Sequence, residues 1–239
     1  MDTKGGGGGA VSLTSSSSDN AAGTAINIIS AAAQADNATA TTPSVDNYTT
    51  AGVTGVTSSN VAAINSALND LDITGAKTDT TAKIQSIVDS YNLILTAADG
   101  TSGNGTAPTA TDYANIGINS IDTAQEVRLL GSVIDGKTNA AVDTVAELQA
   151  LADAVQAVIG AAENGTPLPT KAQLELLGIS GVTQANLTTV VQGIIDKTGD
   201  DVDTLAELQA VVNNVTTPVV DTTAPTLVIS DDTAGTANG

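Results

Sequence analysis

One short phrase occurs three times in this chain. Its pattern is Asp-Thr-x-Ala-x-Ile/Leu-Gln, and its copies begin at Asp79, Asp143 and Asp203, so it returns after 64 and then 60 residues. A fixed phrase at nearly constant spacing indicates a tandem array of repeats. The fold therefore has to be predicted one repeat at a time.

A glycine lies at an equivalent position upstream of each phrase, at Gly52, Gly117 and Gly178. Glycine adopts positive φ without strain, which the residue after a helix often requires. We therefore predict that each glycine ends a short first helix. One position inside that helix is filled by Tyr48, Tyr113 or Leu174. This substitution pattern favours packing over a binding role.

A second helix is predicted after each glycine, over Ser58–Leu71, Thr123–Lys137 and Gln184–Lys197. In the third copy its apolar residues keep the spacing of one helical stripe: Leu187, Val190, Val191, Ile194 and Ile195. The polar residues of these helices are predicted to form solvent-exposed faces: Asn65, Ser66, Asn69, Thr188, Thr189 and Gln192.

A third helix is predicted to begin at the repeated phrase. Thr144 precedes Glu147 by three residues, and Thr204 precedes Glu207 in the same way. This spacing forms a capping box, in which two terminal amides are satisfied reciprocally. The first copy has Lys83 at the position of the glutamate, so its box is incomplete. Helical spacing continues behind the second box at Leu148, Leu151, Ala152, Val155, Val158 and Ile159.

The expected fold class is all-α, with tandem three-helix-bundle repeats and a short C-terminal β segment. The repeats are placed at residues 43–101, 106–165 and 166–217. Small bundles have small cores, so neighbouring repeats are expected to pack end to end. The second and third repeats are expected to stack more tightly than the first and second, whose linker contains Gly100, Gly103 and Gly105.

The two ends of the chain differ from the array. Residues 1–19 are rich in glycine and serine, which is typical of a flexible linker. Residues 20–42 are interpreted as the last helix of a truncated repeat. Residues 218–239 are interpreted as a linker and a strand, since Thr226–Ser230 is short and β-branched.

The composition excludes several classes of function. With 26 acidic and 7 basic residues the net charge is −19, which disfavours nucleic acids and anionic membranes. No apolar run approaches the roughly 18 residues of a membrane span, so direct membrane insertion is not expected. The chain has no histidine or cysteine, hence no imidazole base and no thiolate. We therefore expect no enzyme.

Calcium is the one cofactor that the residue types favour, because it binds hard oxygen ligands and often joins extracellular modules. Six aspartates are weak candidate ligands: Asp200, Asp201, Asp203, Asp221, Asp231 and Asp232. No twelve-residue calcium loop is present, so the signal is unspecific. The alternative interpretation is an acidic first helical turn for Asp200–Asp201 and a solvated loop for Asp231–Asp232.

Three parts of the sequence resemble those of known surface proteins. The stretch from Asn47 through Asn65, followed by the repeated phrase, resembles the helical repeats of large repetitive adhesins and biofilm proteins of Gram-negative bacteria. Such repeats are broadly similar to three-helix, albumin-binding-type modules. The stretch Val220–Ser230 resembles the opening of bacterial immunoglobulin-like domains. Gly5–Gly9 is similar to the glycine run after the lipid-bearing cysteine of surface lipoproteins, although that cysteine is missing here.

The resemblance implies an extracellular or cell-surface location, lipid-anchored in the full-length protein. The expected function is a non-enzymatic structural spacer or adhesive stalk of a bacterial adhesin. One alternative is a module that docks a host or matrix protein through a helix face. Another is a self-associating extracellular filament, in which the C-terminal strand completes a sheet in a neighbouring copy.

Overall fold

The protein is all-α in the part that the computed structural model describes, which is residues 17–33, 41–103 and 105–216. The only β pairing among these residues is an isolated bridge between Asp99 and Thr138. The β segment expected at Thr226–Ser230 lies outside the described residues. Residues 1–16 of the expected N-terminal linker also lie outside them.

Ten α-helices are present in the described residues: α1 (Ser17–Ala32), α2 (Val45–Thr50), α3 (Val61–Leu68), α4 (Thr81–Ala97), α5 (Ala110–Asn115), α6 (Ala124–Asp135), α7 (Val145–Asn164), α8 (Lys171–Leu177), α9 (Leu187–Ile195) and α10 (Leu205–Thr216). Three one-turn 3-10 helices precede α4, α7 and α10, at Gly75–Lys77, Asn139–Ala141 and Gly199–Asp201. We call α2–α4 the first segment, α5–α7 the second and α8–α10 the third. Helix α1 already begins at Ser17, inside the stretch expected to be a linker.

The short helices α2, α5 and α8 begin with capping boxes that the sequence analysis missed. The capping side chains are Ser44, Thr109 and Thr170, and each pairs with the residue three positions on. At the other end, Gly52, Gly117 and Gly178 all have positive φ, as predicted. The amides of Val53, Ile118 and Ile179 then donate back to the carbonyls of Tyr48, Tyr113 and Leu174. This is the hydrogen bond of a Schellman ending.

The middle helices α3, α6 and α9 are shorter than predicted. In the first and third segments an asparagine forms the turn before the helix. The amide of Thr57 donates to Asn60 Oδ1, and that of Thr183 donates to Asn186 Oδ1, both at 2.7 Å. These side-chain bonds compete with helix formation, so α3 and α9 start only after the asparagines. The 3-10 turns occupy the loops that follow the middle helices.

The long helices α4, α7 and α10 begin at the repeated phrase, as predicted. Thr144 and Glu147 form a complete capping box, and so do Thr204 and Glu207. At α4 the Thr80 side chain accepts from the Lys83 amide, without a returning carboxylate.

Replacing Thr144 with alanine should lower the free energy of unfolding by about 1 kcal/mol, because the Glu147 amide loses the hydroxyl that caps it. The matched control is Thr189→Ala, since Thr189 is exposed inside α9. Alanine is the better helix former there, so no loss is expected. Urea denaturation of both variants checks this, and equal losses would contradict the capping role.

The helices share one connected apolar core that runs from Ala25 in α1 to Val212 in α10. The principal packings within a segment are α3 on α4, α6 on α7 and α9 on α10. Between neighbours, α4 packs on α5 and α6, α7 packs on α8 and α9, and the starts of α7 and α10 lie against α3 and α6. Helix α1 packs on α2 and on the turn Gly75–Lys77. Among these principal packings of the described helices, none joins the first segment to the third.

Helix α7 has more buried residues than any other described helix. It is 20 residues long and apolar enough to cross a membrane by length and composition. However, 61% of its most apolar window is buried inside the protein, and the core helix of a folded domain passes the same test. Its predicted stripe, Leu148, Leu151, Ala152, Val155, Val158 and Ile159, is buried.

Candidate functional site

The junctions between segments contain side-chain hydrogen bonds, and two of these contacts are alike. The amide of Val145 in α7 donates to Ser66 Oγ in α3, and the amide of Leu205 in α10 donates to Ser132 Oγ in α6, both at 3.0 Å. The first amides of a helix lack partners inside the helix. A serine of one segment therefore caps the long helix of the next.

The predicted solvent face of α3 is wrong at two positions, because Ser66 makes this junction contact and Asn65 is buried. Asn65 Oδ1 accepts from the Tyr48 hydroxyl at 2.6 Å, and its Nδ2 donates to the Pro43 carbonyl at 2.8 Å. The exposure predicted for Asn69, Thr188, Thr189 and Gln192 is confirmed.

We call the contact between the first and second segments the first junction, and that between the second and third segments the second junction. The second junction also contains an ion-pair cluster. Arg128 in α6 pairs with Asp200 at 2.8 Å and with the carboxylate of Asp203, and Gln125 donates to Asp200 at 3.1 Å. Asp203 is only 6% exposed. Burial raises the pKa of its carboxyl, and the Arg128 guanidinium partly opposes that rise.

A lysine secures the same junction at a helix end. Lys137, just after α6, donates to the Leu176 carbonyl in the last turn of α8 at 2.6 Å. A cation is favoured there by the free carbonyls and the helix dipole. Partial burial lowers the pKa of this lysine. The first junction has a hydrogen bond between an amide and a carboxylate nearby, in which Asn119 Nδ2 donates to Asp72 at 2.5 Å.

Three of the six candidate calcium ligands are described, and all three bond to other residues of the chain. Asp200 and Asp203 pair with Arg128, whereas Asp201 accepts from the amide and hydroxyl of Thr198 at 3.0 and 2.8 Å. The Thr198 bonds hold the pKa of Asp201 below its usual value. The described residues contain no group of three acidic side chains arranged to hold a metal. Asp221, Asp231 and Asp232 lie outside the described residues.

The tyrosine position behaves as the packing interpretation predicts, since Tyr48, Tyr113 and Leu174 are all fully buried. Burial raises the pKa of both tyrosines. Their hydroxyls differ, however. Tyr48 donates to Asn65, whereas the Tyr113 hydroxyl has no hydrogen-bond partner among the described residues.

Tyr48→Phe should therefore lower the free energy of unfolding by about 1–2 kcal/mol, because buried Asn65 loses its donor. Tyr113→Phe should leave stability unchanged or raise it by up to about 1 kcal/mol, because it removes an unsatisfied buried hydroxyl. Each variant is the control for the other in chemical denaturation. Equal losses in both would contradict these assignments.

An apolar groove opens on the surface between α8 and α9, with a volume of about 750 Å³. Six apolar residues line it: Leu168, Pro169, Ala172, Leu187, Val191 and Ile195. Its rim is polar and contains Thr188 and Gln192 of α9 and Lys171 of α8. We call this surface the α8–α9 groove. Its side chains suit an apolar partner better than a charged ligand.

The linkers explain why the groove lies on the third segment. Residues 98–109 connect α4 to α5, and glycines in this linker form hydrogen bonds with the C-terminal end of α6 and with Lys137 just after it. The Gly100 amide donates to the Lys137 carbonyl at 2.8 Å, and the Gly105 amide donates to Asp135 Oδ1 at 2.9 Å. The first junction is therefore held by its linker. Residues 165–170 connect α7 to α8 and are fewer, so less chain is present to cover α9.

Sequence reasoning missed the junction partners because they depend on contacts between distant residues. Ser132 lies between Gly131 and Val133 in α6, whereas Ser66 follows the polar Asn65 in α3. Only Ser132 therefore offered a signal, as a single polar residue between non-polar neighbours. Arg128 offered another, as the chain's single arginine.

No protein-family model, curated protein or solved structure matches the chain.

Proposed function

We propose that this chain is a non-enzymatic structural spacer, the stalk region of a bacterial cell-surface or secreted adhesin. In this proposal three tandem helical modules, at 43–101, 106–165 and 166–217, follow one another in a line. The observation that carries it is the packing order, in which the principal contacts join only helices of the same or neighbouring segments. An array built in this way gains length with each added module.

The junctions support a stiff array. A module of about 50 residues has too small a core to be very stable alone. Here α7 packs on its own segment and on α8 and α9, so part of each core lies at a junction. Ser66, Ser132 and Arg128 add polar contacts that fix the angle between neighbours. Bending at a junction would break these contacts.

The two ends of the array also fit this proposal. Helix α1 packs on α2 much as α4 packs on α5, which supports its interpretation as the last helix of a further module. Helix α10 has Asn214, which is exposed, at the position of the buried Ala154 in α7. A polar outer face is typical of a terminal repeat. The net charge of −19 would keep such a stalk from aggregating.

Small-angle X-ray scattering over a concentration series tests this proposal. A compact chain of this length should have a radius of gyration of about 18 Å, and a line of modules should exceed roughly 25 Å. Repeating the series with chelator and then with millimolar calcium tests the proposed cofactor. Elongation with calcium would support ions at the junctions, and a compact particle would contradict the spacer.

The α8–α9 groove favours a second candidate function, a module that docks another protein. Its apolar lining next to a polar rim is typical of binding surfaces. The albumin-binding resemblance supplies one probe, serum albumin. Calorimetric titration of albumin into the wild type and into Val191→Asp would test it. Binding that the substitution abolishes would favour this candidate, and the absence of binding would count against albumin as the partner.

A further inference from the structure

The surface on α6 that corresponds to the α8–α9 groove is covered by chain. Aligning Thr123 with Thr183 places Val191 at the position of Gly131 and Ile195 at that of Asp135. A methyl group added to Gly131 would lie 3.4 Å from the side chain of Ala107 in the α4–α5 linker. The α4–α5 linker therefore covers this surface of α6, and its backbone can lie close because Gly131 has no side chain.

The surfaces of α6 and α9 differ in the kind of chain segment that could bind to them. On α6 the carboxylate of Asp135 accepts from the linker amides of Gly103 and Gly105. On α9 the same position is Ile195, which can only pack. Leu168, at the rim of the groove, is 54% exposed. The groove on α9 therefore suits an extended segment with apolar side chains.

We propose that the α8–α9 groove is covered by residues 219–229 of this same chain. The segment contains five apolar β-branched or leucine residues: Val219, Val220, Leu227, Val228 and Ile229. This inference does not depend on the spacer function, but it competes with the docking candidate, because the segment would occupy the surface that a partner needs.

The position of α10 brings the segment to the groove. Helix α10 packs along α9, and Val215 lies so close to Gly193 that an added methyl group would approach it within 2.8 Å. The groove lies on the other side of α9, about one helix diameter away, or roughly 10 Å. An extended chain advances about 3.3 Å per residue. Three or four residues beyond Thr216 are therefore enough to reach the groove.

A single tryptophan can report whether the groove is covered, because the chain has none of its own. We would introduce Leu168→Trp, at an exposed position on the rim, into the full chain and into a chain ending at Thr216. The expected result is a shift of the emission to longer wavelength on truncation, with unchanged helical circular dichroism. Emission that is identical in the two chains would overturn the proposal.

Two further variants of the full chain separate this segment from other occupants. Leu227→Asp with Ile229→Asp should reproduce the shift, whereas the matched change Thr233→Asp with Ala234→Asp should not. The emission should also be independent of protein concentration. A shift that appears only on dilution would mean that a second copy covers the groove, and it would overturn the proposal.

Discussion

Replacing Leu151 with alanine is expected to lower the free energy of unfolding by about 3–4 kcal/mol. Leu151 is buried in the middle of α7, the helix that packs on α6, α8 and α9. The truncation removes apolar contacts and leaves a cavity that close-packed neighbours fill only partly. Because α7 belongs to the second segment and also supports the third, both segments should lose stability.

The matched control is Leu71→Ala, because Leu71 is 69% exposed. A surface change of this kind should stay within about 0.5 kcal/mol. Urea denaturation followed by circular dichroism measures both variants. If Leu151→Ala cost no more than Leu71→Ala, or if only a third of the helix signal were lost in a separate first transition, the shared core would be contradicted.

The Arg128→Ala variant should show the second largest effect, a loss of about 2 kcal/mol at neutral pH. Removing one partner of a buried ion pair costs about 3–5 kcal/mol, and the half-exposed arginine reduces that figure. The cost arises because Asp203 remains buried without its compensating charge. Lys171→Ala is the control, since its pair with Glu175 is partly exposed to solvent and should contribute about 0.5 kcal/mol at most.

The loss in Arg128→Ala should depend on pH. The pKa of Asp203 is raised in the folded protein, so its folded form binds a proton more readily than the unfolded chain does. Its contribution to stability is therefore greatest at low pH and is lost as the pH rises through the folded pKa. Without Arg128 this pKa should rise further. The difference between variant and wild type should consequently shrink as the pH falls toward about 4. A difference that is constant with pH would contradict the role of Asp203.

The sequence predicts the local features of this fold well. The positive φ of Gly52, Gly117 and Gly178 and the capping box at Thr144 depend on a few adjacent residues, and both are confirmed. The stripe around Leu148 follows from the helical period and is also confirmed. Such features do not depend on residues that are distant in the sequence. The limits of the middle helices were less accurate, because asparagine side-chain bonds shorten them.

The junctions could not be predicted in the same way. Asn65 is polar, which favours a surface position, yet it is buried and accepts from the hydroxyl of Tyr48 in α2. Ser66 is a cap for an amide 79 residues away, which no local pattern reveals. The groove likewise arises from a difference in length between two linkers. These features depend on which helices become neighbours, and the repeat alone does not determine that.

Three spin-label distances would test the linear arrangement of the modules most directly. Asp46, Thr111 and Ala172 lie at equivalent exposed positions of α2, α5 and α8, and the chain has no cysteine to interfere with labelling. Double-cysteine variants would give the distances 46–111, 111–172 and 46–172 by pulsed electron paramagnetic resonance. A line of modules predicts a 46–172 distance close to the sum of the other two. A 46–172 distance no longer than either of them would contradict the linear array and, with it, the spacer.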